Sequence, residues 1–363
     1  MNDKDYMQRA IELAYKGEGR TNPNPMVGCV IVKGGKIISE DYHHEYGHFH
    51  AERNALLKCE DAKGATAYVT LEPCCHFGKT PPCTDIIIEK GISRVVIGSR
   101  DPNPLVCGKG EKILREAGIE VVKDFMREEC DAINPVFFHY ISTGMPYVVM
   151  KYAMTLDGKI ATYSGKSKWI TGEKAREHVH GLRNKYAAVM AGIGTVLADD
   201  PMLNCRLSGG KDPLRVICDS SLRLPLDCNI AKTARDIPTV IFCADGADEA
   251  EKNKLEELGI KVFAADDGNG KTDLYKAMRI LGEMKIDSVL IEGGGRIHEA
   301  ALKAGIVNHV CAYIAPKIFG GKDAKTPVEG SGIESPADAA LFTDLKYTQL
   351  GKDILLEADI VKE

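Results

Sequence analysis

At 363 residues, with 44% hydrophobic and 27% charged side chains, the chain has the composition of a globular enzyme and the length of two domains of about 150 residues each. Its 47 basic and 52 acidic residues leave a net charge of −5, which disfavours a polynucleotide partner while leaving room for a local basic pocket. Met1-Asn2-Asp3-Lys4-Asp5 lacks the apolar core of a signal peptide and no run of about 18 apolar residues follows, so the expectation is a cytoplasmic chain with no membrane partner.

Met7, Ala10, Ile11 and Ala14 recur at helical spacing until Gly17 and Gly19, which predicts an amphipathic opening helix. After the loop Thr21-Asn22-Pro23-Asn24-Pro25, the run Val27 to Val32, the pair Gly34-Gly35 and Ile37-Ile38 predict a β-hairpin. Ala67 to Leu71 reads as a buried strand that delivers Glu72-Pro73-Cys74 at its C-terminal end. Ile86 to Ile88 (helix), Arg94 to Gly98 (strand), Ile113-Leu114 (helix) and Ile119 to Val122 (strand) continue the alternation. That alternation implies a mainly parallel sheet with helices on both faces. Near Ser142 to Pro146 the pattern resets, placing a domain boundary between residues 1–145 and 146–363.

In the second half, strands are expected at Tyr147 to Met154, Ala187 to Ala191, Arg215 to Cys218, Thr239 to Phe242, Val289 to Ile291 and His309 to Ile314. Helices are expected from Ala175 to Arg183, around Leu255, and from Ala277 to Leu281. Both halves are thus α/β. Nine of the twelve cysteines, Cys29, Cys59, Cys107, Cys130, Cys205, Cys218, Cys228, Cys243 and Cys311, have no secretory context and are expected to be reduced, mostly buried packing residues.

The chemistry concentrates at His50-Ala51-Glu52, Pro73-Cys74 and Cys83. One imidazole and two thiols suit Zn²⁺, and three protein ligands leave a position for a water whose pKa falls to roughly 7. Glu52 lies two residues from His50, so both reach one point only at a helix N-terminus, which predicts a helix starting near His50. His-x-Glu followed by Pro-Cys is the pattern of zinc nucleobase deaminases, in which the Glu shuttles protons and is no ligand. The spacing departs from that pattern: Cys75 adjoins Cys74, and the next candidate, Cys83, is nine positions beyond Cys74. His76 stands as an alternative fourth ligand, which would close the site as a structural zinc knot.

Gly192-Ile193-Gly194 follows a strand, but Leu197 occupies the third glycine position of a dinucleotide fingerprint, so no Rossmann turn is expected. Glu292-Gly293-Gly294-Gly295-Arg296 lies between a strand and a helix, where glycines serve either a phosphate cradle or a tight turn. Lys151 and Asp199-Asp200-Pro201 are further candidates for proton handling or solvated surface charge.

These segments together resemble the bifunctional bacterial deaminase/reductase family of riboflavin biosynthesis. The resemblance covers both halves: Asn24-Pro25-Met26-Val27-Gly28, His50-Ala51-Glu52, the run from Glu72 to Cys83, and Asp101-Pro102-Asn103-Pro104; then Thr155 to Lys159, Ser167 to Thr171, Gly194-Thr195-Val196, Asp199-Asp200-Pro201 and Glu292-Gly293-Gly294. The family often has serine where Thr155 stands, and the long interval to Cys83 is what the family has. The resemblance implies an N-terminal cytidine-deaminase-like three-layer α/β/α domain and a C-terminal dihydrofolate-reductase-like α/β domain. It also implies two consecutive reactions. The first is zinc-dependent loss of the 2-amino group of 2,5-diamino-6-(5-phosphoribosylamino)pyrimidin-4-one. The second is NADPH-dependent reduction of ribosyl to ribityl, with hydride accepted at C1′ of a ring-opened imine.

Residue by residue, the resemblance implies zinc ligands at His50, Cys74 and Cys83, one ion per chain, and a proton shuttle at Glu52. Deaminase substrate contacts fall on Asn24, His43, His76, Lys79, Asp101 and Asn103. NADPH falls on Ala153, Trp169, Thr195, Asp199, Ser221 and the run Gly294, Gly295, Arg296, Ile297, His298, Glu299 and Ala300. The reductase substrate falls on Ser167, Arg183, Leu203, Arg206 and Glu292, with Lys151, Asp199 and Glu292 as candidates for managing protons. Arg183, Arg206 and Arg296 stay undivided between substrate and cofactor phosphate. The partners expected are phosphorylated pyrimidines, not nucleic acid or membrane, in a homo-oligomer. A deaminase of free nucleosides with a redox-inactive second half is the competing enzyme, told apart by NADPH consumption. A structural zinc module in a nucleic-acid-binding protein is the competitor from another class, and the net charge argues against it.

Overall fold

In the computed structural model, which describes residues 1–103, 105–343 and 345–361, the chain divides into Met1–Gly144 and Met145–Glu363, each with its own sheet. Pro104, the last residue of the Asp101 segment, lies outside the described residues.

The first unit runs α1 (Asp3–Ala14), β1 (Gly28–Lys33), β2 (Lys36–Tyr42), α2 (Ala51–Lys58), β3 (Thr66–Leu71), α3 (Cys83–Glu89), β4 (Arg94–Ser99), α4 (Lys109–Glu116), β5 (Glu120–Val122), α5 (Arg127–Asp131) and α6 (Pro135–Thr143). Helix α1 starts at a capping box: the Asn2 side chain accepts from the Lys4 and Asp5 amides, and the Asp5 carboxylate accepts from the Asn2 amide. The sheet order is β2-β1-β3-β4-β5. The expected mainly parallel sheet is found only at β3-β4-β5; β2-β1-β3 is antiparallel. The reason is the hairpin, whose Gly34 and Gly35 take φ of +57° and +74° and turn β1 straight back into β2. Alternate side chains of β1 divide the core. Cys29 and Ile31 pack with Leu56, Ile87, Leu114 and Phe137 on one face, while Val30 and Val32 pack with Met7, Ile11 and Cys130 on the other. Helices α1 and α5 therefore cover one face and α2, α3, α4 and α6 the other, a three-layer α/β/α stack.

The second unit runs β6 (Tyr147–Thr155), α7 (Glu173–Lys185), β7 (Ala188–Gly192), α8 (Ile193–Asp199), β8 (Leu214–Cys218), α9 (Asn229–Lys232), β9 (Thr239–Cys243), α10 (Glu249–Glu257), β10 (Lys261–Ala264), α11 (Leu274–Glu283), β11 (Ser288–Ile291), α12 (Gly295–Lys303), β12 (Val307–Ala315), β13 (Lys346–Leu350) and β14 (Asp353–Asp359). Nine strands form one sheet in the order β10-β9-β8-β7-β11-β6-β12-β14-β13, parallel from β10 to β12 and antiparallel at the last two pairings. Met190 and Ile291 pack under α11 and α12, and Val189 and Ile217 under α8, α9 and α10. The one fully buried guanidinium among the largest core side chains, Arg215, is satisfied by the Thr233 and Thr239 hydroxyls and the Ile230, Ile237 and Met202 carbonyls. All twelve cysteines are outside disulfides; Cys107 is exposed and Cys205 and Cys218 are half-buried, departing from the buried role expected of them. No helix among the described residues is long and apolar enough to cross a membrane.

Candidate active sites

In the first unit the local chain path builds the site from three element ends. Helix α2 begins immediately after His50, which sits at its N-cap in extended conformation, so Glu52 falls in the first turn on the same side as the imidazole. Strand β3 ends at Leu71 and delivers Cys74, and Cys83 is the first residue of α3. The His50 Nδ1 atom lies 3.4 Å from Cys74 Sγ and 3.6 Å from Cys83 Sγ, and the three ligand atoms all fall within 4.8 Å of one another. Tetrahedral zinc with Zn–N and Zn–S bonds of about 2.0–2.3 Å has ligand-to-ligand edges of about 3.3–3.8 Å, so the two measured edges fit. His76 is not in this cluster. The Cys83 amide, at the start of α3, donates to Cys74 Sγ at 3.4 Å. Hydrogen bonding from Cys83 and the His50 charge, working against burial, draw the Cys74 thiol down to about 4, which favours the thiolate a metal requires.

Glu52 is 3% exposed, and its Oε2 has no hydrogen-bond partner. Burial, reinforced by the nearby Cys74 charge, pushes its carboxyl up to about 7, in the range that suits a group that takes and returns a proton at neutral pH. A cavity of about 210 Å³ opens over these groups, lined by His50, Glu52 and Cys74 and by all six expected substrate residues, Asn24, His43, His76, Lys79, Asp101 and Asn103. His43 Nδ1 faces the Phe49 carbonyl at 3.1 Å and so carries the proton, leaving Nε2 to accept from the Asn24 amide at 3.5 Å. Burial pushes Asp101 up to about 6. His76 Nδ1 is buried with no partner. Lys79 Nζ lies 3.9 Å from the centroid of the Tyr46 ring.

Tyr46, Thr80, Val106 and Phe137 also line the cavity and were not anticipated. Tyr46 had a usable signal, because an aromatic residue three positions from His43 lies in the same loop; Phe137 had none, since it arrives from α6 far along the chain. Glu72, conspicuous in Glu72-Pro73-Cys74, is a structural carboxylate: its oxygens accept from the Gly108 and Glu111 amides at 3.0 and 3.2 Å and anchor the start of α4.

In the second unit most of the expected residues lie on or after β6, β7 and β11, three adjacent strands, while Arg183 comes from α7 and Ser221 follows β8. Gly192 and Gly294 are the N-cap residues of α8 and α12, and no side chain caps either helix. Their first amides therefore lack intrahelical partners. The two turns touch: the Gly192 amide donates to Gly293 O at 3.1 Å, and a Cβ on Gly294 would sit 3.5 Å from Thr195 Oγ1. Two uncapped helix starts beside each other, with Thr195 between, match what a dinucleotide diphosphate needs. Gly293 has φ of +128°, where side-chain-bearing residues rarely go.

Arg183 from α7 holds Glu292 with a two-pronged pair, Nε to Oε1 at 2.5 Å and Nη2 to Oε2 at 2.8 Å, and its Nη1 donates to Asn204 O at 2.9 Å. Lys151 is the next group inward. Its Nζ lies 5.6 Å from the Tyr313 ring centroid, and burial lowers its pKa against the opposing charge of Glu292. Ser167 Oγ donates to Asp199 Oδ1 at 3.1 Å. Trp169 is 62% exposed, with the Arg176 guanidinium 4.6 Å from its ring centroid. Leu203 is buried with φ of +48°, whereas Arg206 and Arg296 are exposed. Ala153 lies on β6, and Ser221 in the turn after β8.

A family model for the cytidine and deoxycytidylate deaminase zinc-binding region matches residues 1–99, and one for the RibD C-terminal domain matches residues 146–356. The chain is 57% identical to the riboflavin biosynthesis protein RibD of Actinobacillus pleuropneumoniae over 99% of this chain and 96% of that protein. It is 45% identical to RibD of Bacillus amyloliquefaciens, over 97% and 95%. Among solved structures, the Thermotoga maritima diaminohydroxyphosphoribosylaminopyrimidine deaminase/5-amino-6-(5-phosphoribosylamino)uracil reductase superposes with a TM-score of 0.85 at 40% identity, covering 99% of this chain and 98% of that one. Acinetobacter baumannii RibD superposes with a TM-score of 0.88 at 39% identity, covering 99% of both.

Proposed function

The chain belongs to the RibD family of bifunctional riboflavin-biosynthesis enzymes, and from that membership we propose how its own residues divide the two reactions. It is a zinc-dependent deaminase of 2,5-diamino-6-(5-phosphoribosylamino)pyrimidin-4-one and an NADPH-dependent reductase of the 5-aminouracil product, with a cytidine-deaminase-like fold followed by a dihydrofolate-reductase-like fold. We assign deamination to residues 1–145 and reduction to residues 146–363, an assignment supported by the two family models and by the division of the chain near Gly144.

The observation that carries the deaminase assignment is the partnerless, buried Oε2 of Glu52 in a cavity that also holds His50, Cys74 and the six substrate residues. Zinc, held by His50, Cys74 and Cys83, supplies the Lewis acidity that makes water nucleophilic at neutral pH. Glu52 Oε2 takes the proton of the attacking water and returns it to the departing amine. Asn24, His43, His76, Asp101 and Asn103 offer donors and acceptors to the edge of a neutral heterocycle. Lys79, held over Tyr46, is the cation for the 5-phosphate.

NADPH supplies the hydride for the second step. Thr195 and the α12 start from Gly294 to Ala300 bind its diphosphate, with Ala153, Trp169, Asp199 and Ser221 completing the cofactor contacts. Ser167, Arg183, Leu203, Arg206 and Glu292 face the substrate. Because Arg183 is committed to Glu292, the substrate phosphate falls to Arg206, and Arg296, on α12, belongs to the cofactor side. Lys151 is the group that delivers or holds a proton at the opening ribosylamine. Asp199 orients Ser167.

The test is a Glu52→Gln chain assayed for bound zinc and for ammonia release. Zinc retained with ammonia release lost supports the shuttle, whereas near wild-type ammonia release removes Glu52 from it. Cytoplasmic placement and a homo-oligomer complete the proposal. The second is supported by Tyr347 of the edge strand β13 and Leu345 just before it, 79% and 63% exposed, and sedimentation of the full chain as a monomer would overturn it.

A further inference from the structure

Strands β12 and β14 pair antiparallel with His309 opposite Asp359 and Cys311 opposite Glu357. Alternation puts His309 and Cys311 on one face of β12, away from Val310 and Ala312 in the core, and Glu357 and Asp359 meet them from β14. The ligand atoms of His309, Cys311 and Glu357 all lie within 4.8 Å of one another, with His309 Nε2 3.7 Å from Glu357 Oε1 and Cys311 Sγ 3.9 Å from the same oxygen. These separations approach the edges of about 3.3–3.8 Å expected between ligands of a tetrahedral N, S, O site.

A second feature points at a metal rather than at packing alone. His309 Nδ1 lies 2.7 Å from Asp359 Oδ1, which also accepts from the Tyr147 hydroxyl at 3.3 Å. A carboxylate on Nδ1 fixes a proton there, so that a metal taking the place of the Nε2 proton would meet a lone pair directed toward Cys311 and Glu357, the carboxylate–histidine arrangement that orients metal-bound imidazoles. Cys311 is 1% exposed, while His309 and Glu357 are only half-buried, so solvent reaches the cluster from the carboxylate side. The His309 ring beside Glu357 holds that carboxyl below its usual range against burial, with His178 and Lys185 on α7 adding to the pull.

We propose that His309, Cys311 and Glu357 form a second metal site, separate from the deaminase cluster and suited to a divalent ion that accepts nitrogen and sulfur, such as zinc. Bound there, the ion clamps β14, the penultimate strand of the sheet, onto β12, beside Lys151 of β6, the register partner of Cys311. The competing account is a metal-free ion-pair network in which His309 bridges two carboxylates.

The probe is Co²⁺ titrated into the full chain carrying Cys74→Ser and Cys83→Ser, which removes the deaminase thiolates. The expected result is one equivalent bound, with a near-ultraviolet thiolate-to-cobalt band that Cys311→Ser abolishes. A Glu357→Gln version, which keeps size and hydrogen-bonding capacity, should retain the band and bind Co²⁺ roughly tenfold or more weakly. No thiolate band in the doubly substituted chain, a band that survives Cys311→Ser, or unchanged Co²⁺ affinity after Glu357→Gln would each overturn the site in favour of the ion-pair network.

Discussion

Arg183 and Glu292 meet through two parallel hydrogen bonds of 2.5 and 2.8 Å, with both side chains nearly buried, and this pair sets the charge state of the proposed reductase site. Burial alone would raise the Glu292 pKa, but the Arg183 charge and hydrogen bonds, with Lys151, outweigh it and hold the carboxyl down to about 2. Glu292 is therefore an ionised acceptor at any working pH and no general acid. Its charge in turn supports the ammonium form of Lys151, against a net downward pull from burial. Of the proton-handling candidates, Lys151 is the one whose charge this arrangement tunes.

Replacing Glu292 with Gln removes that support, so the Lys151 pKa falls further. The limb of the pH–rate profile for NADPH oxidation that reports Lys151 should move to lower pH, while ammonia release is unchanged. A limb at the wild-type position would show that another group titrates. Arg183→Lys, which gives up the two-pronged geometry, should lower reduction by roughly tenfold to a hundredfold, the loss of about 1.4–2.8 kcal/mol of transition-state positioning.

Gly28 in the first unit and Gly295 in the second let backbone segments approach closely. A Cβ on Gly28 would lie 1.9 Å from the Ala10 carbonyl oxygen, and one on Gly295 would lie 2.6 Å from Glu329 Cγ and 2.7 Å from Thr326 O. Gly28→Ala should cost about 3 kcal/mol or more, because α1 must shift off the sheet; Gly295→Ala should cost less, since a side chain shares the collision. Urea unfolding followed separately in the two units should show the first loss in the deaminase unit. The second should coincide with a raised KM for NADPH.

His43 is held neutral. Burial pulls its pKa down to about 4, against the hydrogen bond to Phe49 O that works to raise it. An unfolded histidine titrates near 6.5, so between about pH 6.5 and 4 the unfolded chain binds a proton that the folded one refuses. Stability contributed by this group is present above that window and lost as pH falls through it, at most about 3 kcal/mol. His43→Gln should flatten that part of the stability profile of the deaminase unit. An unaltered slope would mean that other groups carry the acid sensitivity.

Much of this was legible in the chain itself, for reasons that differ by residue. The helix beginning after His50 follows from the need for His50 and Glu52 to face one point, and the structure places it there. The hairpin was written in Gly34-Gly35, and the strand-to-helix turn in Gly293 to Gly295. The edge strand β13 left little periodic signal: it is exposed along most of its length, so nothing forces its residues to alternate. Arg215 sits in a strand that was anticipated, but its complete burial among hydroxyls and carbonyls depends on groups up to 24 positions away and has no local sequence mark. The pairing of Arg183 with Glu292, 109 residues apart, was beyond local pattern for the same reason, even though both were named as site residues.

The most direct test of the account follows NADPH absorbance and ammonia together after the diaminopyrimidine phosphoribosyl substrate is added to wild-type, Glu52→Gln and Lys151→Ala chains, with the deaminated substrate supplied in parallel. The account predicts both signals from wild type. Glu52→Gln should oxidise NADPH only when given the deaminated substrate, and Lys151→Ala should release ammonia but leave NADPH unconsumed. NADPH oxidation by Glu52→Gln on the diamino substrate, or undiminished reduction by Lys151→Ala, would contradict the division of the two reactions between these residues.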